Sequence, residues 1–352
     1  MTTVRARDID ALVVGVSLLG SGGGGDASSF THVLRQRLGD GEIVLHPPAA
    51  LGDARTVPVG MVGATSVFAE KLPSGGELRS AVMAVARWTG EAPEAVMAVE
   101  AAGLNGVTAL VAALDLGLPY LDADLTGRAL PRLDQSTWAA LGRPVAPAAV
   151  CEPAGQAVVV ADTDATGLER TLRAVLGEVG GWAGLALSAA PARAAATDAC
   201  TGTLGRALEL GRAHGALRMM AESAEVAEAF GGRALADGRI YDITRHGTAA
   251  GYAGASVTVL DRRGAVVRLE AENEFLLALV DGEPVASCPD LLCVLDRRTA
   301  RPLAVDAVRR GDEVLVVVLP APPWWAEHGH LDLVGPSAFG LDCPPLLLGA
   351  TS

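Results

Sequence analysis

Apolar and polar positions change rhythm part-way along this chain. From Asp8 to about Thr166, apolar runs of strand length alternate with segments of helical periodicity, the signature of an α/β arrangement. The pattern predicts a first helix over 8–19, a second over 27–38, strands over 42–46 and 57–62, and a helix over 76–89. A strand over 95–100, a helix over 106–116 and a strand over 119–122 follow. Strands followed by helices at this spacing imply a mainly parallel sheet with ligand-binding loops beyond its strand ends. Helical periodicity continues over 168–179 and 203–229, the latter stopping at Gly231-Gly232. Then the chain turns to β. Runs at 239–243, 255–260, 265–270, 275–280, 291–295 and 313–319 read as strands separated by Asp-Gly and Arg-Gly-Asp turns. The expected organisation is an N-terminal α/β domain over 1–166 and a largely β domain over 167–352.

A length of 352 residues fits two domains of ordinary size. The net charge of −13 and the lack of any basic run argue against nucleic acid or an anionic membrane as partner, leaving a small-molecule substrate and an open option of homo-oligomerisation. The apolar runs are of strand length and no apolar signal core opens the chain, so a cytoplasmic protein is expected. Five scattered cysteines without a Cys-x-x-Cys pair fit reduced thiols better than a disulfide framework or a structural zinc site. His328 and His330, beside Trp324-Trp325, offer two metal ligands but no third at recognisable spacing.

Candidate chemistry begins with Lys71, the lone lysine set against 27 arginines. An ε-amine can lose its proton when desolvated, whereas a guanidinium stays charged, so a lysine retained under such pressure is a catalytic candidate. A solvated loop lysine left by chance is the equal alternative. The run Gly20-Ser-Gly-Gly-Gly-Gly25 allows positive φ and lets amides face a ligand ahead of a helix. Because it follows a helix and not a strand, a nucleotide-cofactor fingerprint is rejected. Glu100 through Asn105 places a carboxylate and an amide at a strand end, where Asn105 also suits a helix N-cap. Asp122 and Asp124 alternate, so on a strand they share a face, with Arg128 nearby; such a pair can bind a cation, hold a lysine charged, share a proton, or merely tie down the loop. Thr201-Gly-Thr203 suits a helix cap, Glu272-Asn-Glu274 can reach into a cleft, and Cys293 reads as a small buried hydrophobe.

These segments together resemble the S-methyl thiohydantoin desulfurase family. The stretches that carry the likeness are Leu19 to Asp26, Glu70-Lys-Leu-Pro-Ser-Gly75, Glu100 to Asn105, Gly117 to Ala129, Gly202-Thr-Leu204, Ala271-Glu-Asn-Glu274, Pro289 to Asp296, Leu319 to Trp324 and Gly335 to Gly340. They keep their order and cover nearly the whole chain. The resemblance implies an α/β N-terminal domain and a swivelling β/β/α-like C-terminal domain. It also implies a hydrolase-type enzyme that replaces the exocyclic sulfur of a thiohydantoin or related five-membered cyclic imide with oxygen. Ala101-Ala102 and Leu125-Thr126 depart from the family's usual residues beside the presumed site, which puts the substrate in doubt more than the reaction.

On this reading Lys71, Glu100, Asp122 and Asp124 are catalytic, activating water and protonating the leaving sulfur. Gly22, Gly23, Gly24, Gly25, Asp26, Thr65, Glu70, Asn105, Arg128 and Thr203 bind substrate, the glycine amides stabilising an oxyanion. No cofactor is required, although the aspartates leave a divalent metal open. Alternatives are a cyclic-amide hydrolase or cyclase without sulfur chemistry, and a non-catalytic ligand-binding partner of a hydantoinase or biosynthetic enzyme.

Overall fold

A computed structural model describes residues 2–64, 67, 71–247 and 253–349. The chain divides into two compact units that are not consecutive stretches. One comprises residues 1–13, 26–127 and 132–206; the other comprises 14–25, 128–131 and 207–352. The linear pattern of apolar runs carries no sign of this interleaving, because which segments pack together is decided in three dimensions.

The first unit is built on a mixed sheet of β1 (Thr2–Arg5), β2 (Glu42–His46), β3 (Arg55–Gly63), β4 (Ala95–Ala98), β5 (Tyr120–Leu121), β7 (Ala148–Cys151), β8 (Ala157–Val160), β9 (Trp182–Ala186) and β10 (Ala190–Pro191). A two-stranded ribbon of β6 (Ala123–Asp124) and β11 (Cys200–Thr201) completes it. The sheet order is β1-β2-β5-β4-β3-β9-β7-β8, with β10 on β3. β2, β5, β4 and β3 run parallel, as expected for strands joined through helices, while β1 and the strands beyond β3 are antiparallel. The antiparallel flank arises from 148–191, where the sequence pattern predicts no strands because the apolar runs are short and Ala-rich.

Helices pack on the sheet where their apolar faces and small residues allow. The helix Glu77–Thr89 buries Leu78, Ala81, Val82 and Val85 and ends at Gly90, whose left-handed φ of 75° suits glycine. It meets β9 closely: a Cβ added to Gly184 would lie 2.8 Å from the Glu77 carbonyl carbon. The helix Gly103–Leu116 starts three residues before the expected position, capped by Ala102, so Asn105 lies inside its first turn and is not its N-cap. Asn105 instead accepts from the Met61 N–H at 2.6 Å and donates to the Met61 carbonyl at 3.2 Å, anchoring the end of β3. Asp164 caps the helix Ala165–Glu178 by accepting from Gly167 N–H at 2.7 Å. The expected long helix over 203–229 is two, Thr203–Ala216 and Ser223–Ala229, parted by a turn over 217–222 in which Met220 takes a left-handed φ of 59°.

The second unit holds a seven-stranded antiparallel sheet among the described residues. Its strands are β12 (Arg233–Gly247), β13 (Ala253–Asp261), β14 (Val266–Glu272), β15 (Glu274–Val280), β16 (Glu283–Ser287), β17 (Leu291–Asp296) and β18 (Glu313–Leu319), in the order β16-β15-β14-β13-β12-β18-β17. Alternation along β14 buries Val267, Leu269 and Ala271 and exposes Val266 and Arg268. They join Val257, Val259, Phe275, Val294, Val316 and Val318 in one apolar cluster. β18 is buried almost throughout, which explains its unbroken Val-Leu-Val-Val-Val-Leu run. No described helix is long and apolar enough to cross a membrane.

Gly184→Ala is expected to destabilise the first unit by about 1–3 kcal/mol, because the added methyl meets helix backbone that cannot yield cheaply. A lowered urea midpoint at unchanged slope checks this; an unaltered midpoint would mean the helix can lift away from β9.

Candidate functional site

The parallel strands end at a set of buried polar groups in the first unit. Asp124, on β6, is fully buried, and its carboxyl is ringed by donors. Ala101 N–H donates at 2.6 Å, Gly127 N–H at 3.0 Å and the Thr203 hydroxyl at 3.0 Å, while the Thr126 hydroxyl stands 3.5 Å away. Burial pushes its pKa up to about 7, against the pull of those hydrogen bonds and with a smaller push from Asp122. The neighbours can accommodate either protonation state. The Thr203 hydroxyl also reaches the Cys200 carbonyl at 3.3 Å, so it can turn its proton there and accept one from Asp124.

Asp122 faces the same segment. Its two oxygens accept from Leu204 N–H at 2.9 Å and Gly205 N–H at 3.2 Å, and its carbonyl accepts from Gly202 N–H at 2.8 Å. The free amides at the start of the helix Thr203–Ala216 are thus satisfied by a carboxylate from a distant part of the chain. The aspartates do converge, as their alternation predicts. Glu100 and Thr203 are buried as well. Both oxygens of Asp122 and of Asp124 accept hydrogen bonds from N–H or O–H groups, which leaves each with fewer lone pairs for a divalent cation. Among the described residues no group of three or more His, Cys, Asp or Glu is placed to hold one. His328 stacks on Trp324 with centroids 4.4 Å apart and gives its Nδ1 to the Trp324 carbonyl.

Three neighbours stand outside the set of residues expected to form the site. The Tyr120 phenol is raised well above its ordinary value by burial and by the charges of Asp122 and Asp124. Cys200, paired across the ribbon with Asp124, is raised well above its own by burial and the Asp124 charge. Thr126 is the third. Only the pairing of β6 with β11, 76 residues apart, brings Cys200 to the carboxyl.

Lys71 sits elsewhere in the same unit. Its Nζ donates to the Val179 carbonyl at 2.5 Å, pairs with Glu152 at 3.3 Å and lies 5.6 Å from the Trp182 ring centre, while the Trp182 indole donates to the Lys71 carbonyl. Its partners are therefore Glu152 and Val179, not Glu100, Asp122 or Asp124. Glu152 is held below the usual carboxylate range first by backbone N–H groups of Ala154 and Gln156, then by Lys71. Asp26 is spent on its own turn, accepting from the Ser28 N–H and hydroxyl. Thr65 and Glu70 lie outside the described residues.

In the second unit the glycine run closes the helix Ile9–Leu19 and packs tightly. Gly22, Gly24 and Gly25 have φ of 89°, 77° and 77°, and a Cβ on Gly23 would lie 2.2 Å from Glu274 Oε1. Ser21 donates to the Phe275 and Leu292 carbonyls and Phe275 N–H returns to Ser21. Much of the glycine content therefore answers to close packing on β15. Arg128 is fully buried; its Nε donates to Ala129 and its Nη1 to the Pro289 and Asp290 carbonyls. Burial raises Glu274 to about 8, opposed by Arg128. Arg128 Nη2 and Glu274 Oε2 have no hydrogen-bond partner among the described residues. Cys293, buried on β17, donates to the Leu18 carbonyl and behaves as the small hydrophobe expected. All five cysteines are unbridged and buried.

Comparison with known proteins accords with this architecture. A model of the N-terminal domain of S-Me-THD-like proteins matches residues 7–162, and the C-terminal domain model matches residues 162–346. A crystal structure of a protein from Chromobacterium violaceum, a structural genomics target, is similar at a TM-score of 0.76 and 25% identity, covering 93% of each chain. No curated protein matches. The motifs that resemble the S-methyl thiohydantoin desulfurase family and the two domain matches point the same way, and the chain belongs to the S-Me-THD-like family.

Proposed function

We propose that this protein is a hydrolase that exchanges the exocyclic sulfur of a five-membered cyclic thioimide for oxygen. The observation that carries this reading is Asp124, a buried carboxyl poised to give or take a proton near neutral pH between two hydroxyls that can each donate or accept. The substrate class is proposed from the resemblance to the S-methyl thiohydantoin desulfurase family, which the S-Me-THD-like domain matches support. Water adds to the ring carbon that bears sulfur, and the tetrahedral adduct collapses with cleavage of the C–S bond. The water oxygen becomes the ring carbonyl; one of its protons replaces the one that Asp124 gives to sulfur, and the other goes to the ring nitrogen of an S-alkyl substrate or to the sulfur of a thione, which leaves as hydrogen sulfide. Neutral Asp124 protonates the departing sulfur, so a hydrosulfide or alkylthiolate leaves as the thiol, and the carboxylate so formed accepts a proton from water in the next turnover. Glu100, buried beyond β4, is the second acid–base candidate, whereas Asp122 is a positioning residue that fixes the start of the helix carrying Thr203. Positioned acid–base groups are worth about 10²–10⁴ in rate, enough for an activated C–S bond without redox chemistry. Lys71 anchors its own loop through Glu152 and Val179, a role separate from proton transfer.

The same carboxyl serves a second reading, hydrolysis of a ring amide without loss of sulfur, in which Asp124 protonates the leaving nitrogen. Incubating the purified chain with thiohydantoins, S-methyl thiohydantoins and hydantoins, and following products by mass spectrometry and thiol titration, separates the two. Thiol release with the ring intact supports the desulfurase reading. Gain of one water with the ring opened supports the second. Saturable binding without any product would leave a non-catalytic ligand-binding protein.

Asp124→Asn is expected to lower kcat by at least about 100-fold and to abolish the limb of the pH–rate profile near pH 7, with KM little changed. Lys71→Arg, by contrast, is expected to change kcat less than about threefold; a loss as large as that of Asp124→Asn would return the amine to the chemistry.

Stability gives a second check on the same proton. The folded pKa of Asp124 lies above its ordinary value of 3.8, so the native state holds the proton more tightly than the unfolded chain does. That contribution is complete below about pH 4 and is lost as pH rises to about 7. The melting temperature of the wild type should therefore fall between about pH 4 and 7 relative to that of Asp124→Asn, and parallel curves for the two proteins would contradict the shift.

A further inference from the structure

β12 is longer than the strand beside it. Its first half, Arg233–Arg239, pairs with β18, and Ile240 exchanges hydrogen bonds with Gly311 and Asp312 at the foot of β18. Beyond this point Asp242–Gly247 pairs with β13 on one side, and no described strand lies on the other. Tyr241 is 56% exposed, and Asp242, Thr244, Arg245, His246 and Gly247 are exposed. An edge of this length, unpaired among the described residues, is a ready template for another strand, and it carries neither proline nor lysine to blunt it.

The order of side chains along this edge restricts what can pair with it. Directly opposite residues in an antiparallel ladder share a face of the sheet, so a two-fold pairing of the edge with itself must centre on a residue and not between two. Centred on Asp242 it sets aspartate against aspartate, and centred on Arg245 it sets arginine against arginine. Centred on Thr244 it sets Thr244 against Thr244, Ile243 against Arg245 and, twice by symmetry, Asp242 against His246. The aliphatic stem of Arg245 can cover Ile243 while its guanidinium stays on the carbonyls of Val305, Asp306 and Val308, 3.3–3.4 Å away. At either end, Tyr241 meets Gly247, where an added Cβ would find open space.

The backbone phase agrees. Ile240 turns its N–H and C=O towards β18, and the one-residue bulge at Tyr241 shifts the alternation, so the outward groups beyond it belong to Ile243 and Arg245. These two residues stand opposite each other in the Thr244-centred register and would exchange main-chain hydrogen bonds. We propose that Tyr241–Gly247 is a homodimerisation edge, pairing antiparallel with the same segment of a second copy about a two-fold axis at Thr244. Two seven-stranded sheets would join into one continuous sheet. Such pairing is independent of the reaction proposed for Asp124.

Sedimentation over about 5–500 µM protein tests it, a range chosen because a single strand pairing without a large apolar interface gives a weak dimer. Wild type should show a concentration-dependent monomer–dimer equilibrium. Thr244→Lys, an exposed change that sets two ammonium groups face to face on the axis, should raise the dissociation constant at least tenfold. Asp242→His and His246→Asp should each weaken the dimer, and the two together should restore it, since the exchanged pair has the same complementarity. A wild type that stays monomeric throughout, as it would if the edge serves a peptide of another protein, overturns the proposal. A dimer undiminished by Thr244→Lys, or single variants not rescued by the double exchange, overturns it too.

Discussion

The first unit depends on one buried carboxyl. Asp124 is fully buried, so its oxygens draw their hydrogen bonds from the protein, and the donors come from the turn after β4, from Gly127 and from Thr203 at the start of a helix. These segments are far apart in sequence and are fixed relative to one another by a single side chain. Asp122 reinforces the arrangement by holding the next two amides of the same helix. The cost of burying the charge is what raises the pKa. The constraint that organises the loops is therefore also the source of the chemistry proposed for them.

Where the apolar periodicity is strong, the fold is legible in the sequence. The helices over Glu77–Thr89 and Gly103–Leu116, the strands β2 to β4 and most of the C-terminal sheet follow from spacing alone. The short strands between 148 and 191 are not legible, since the alanine frequent in them fits either period and their pairing is decided by β3 and β9. The interleaving of residues 14–25 and 128–131 with the C-terminal unit is equally hidden.

The candidate site is half legible. Alternation places Asp122 and Asp124 on one segment, and Thr203 is both a helix-start residue and the partner of Asp124. Asn105 misleads, because an amide at a strand-to-helix junction suits a cap as well as the strand anchor it forms with Met61. Lys71 shows that rarity in composition marks a residue without revealing its role. Its amine is compact enough to reach the Val179 carbonyl and Glu152 together across the Trp182 ring. The glycine run likewise signals backbone freedom correctly, but a large share of that freedom serves contact with Phe275 and Glu274. Glu274, raised to about 8 in an apolar strand, carries no sequence sign of its titration beyond its unusual place at the head of β15.

The proposed chemistry requires a proton that Asp124 keeps up to neutral pH. Its most direct test is a titration of the carboxyl carbons by ¹³C NMR in protein labelled at aspartate, with Asp124→Asn identifying the resonance. A midpoint near 7 is predicted for that carbon. A midpoint at or below the ordinary aspartate range would show a carboxylate held charged by its ring of donors, and would contradict the acid–base role.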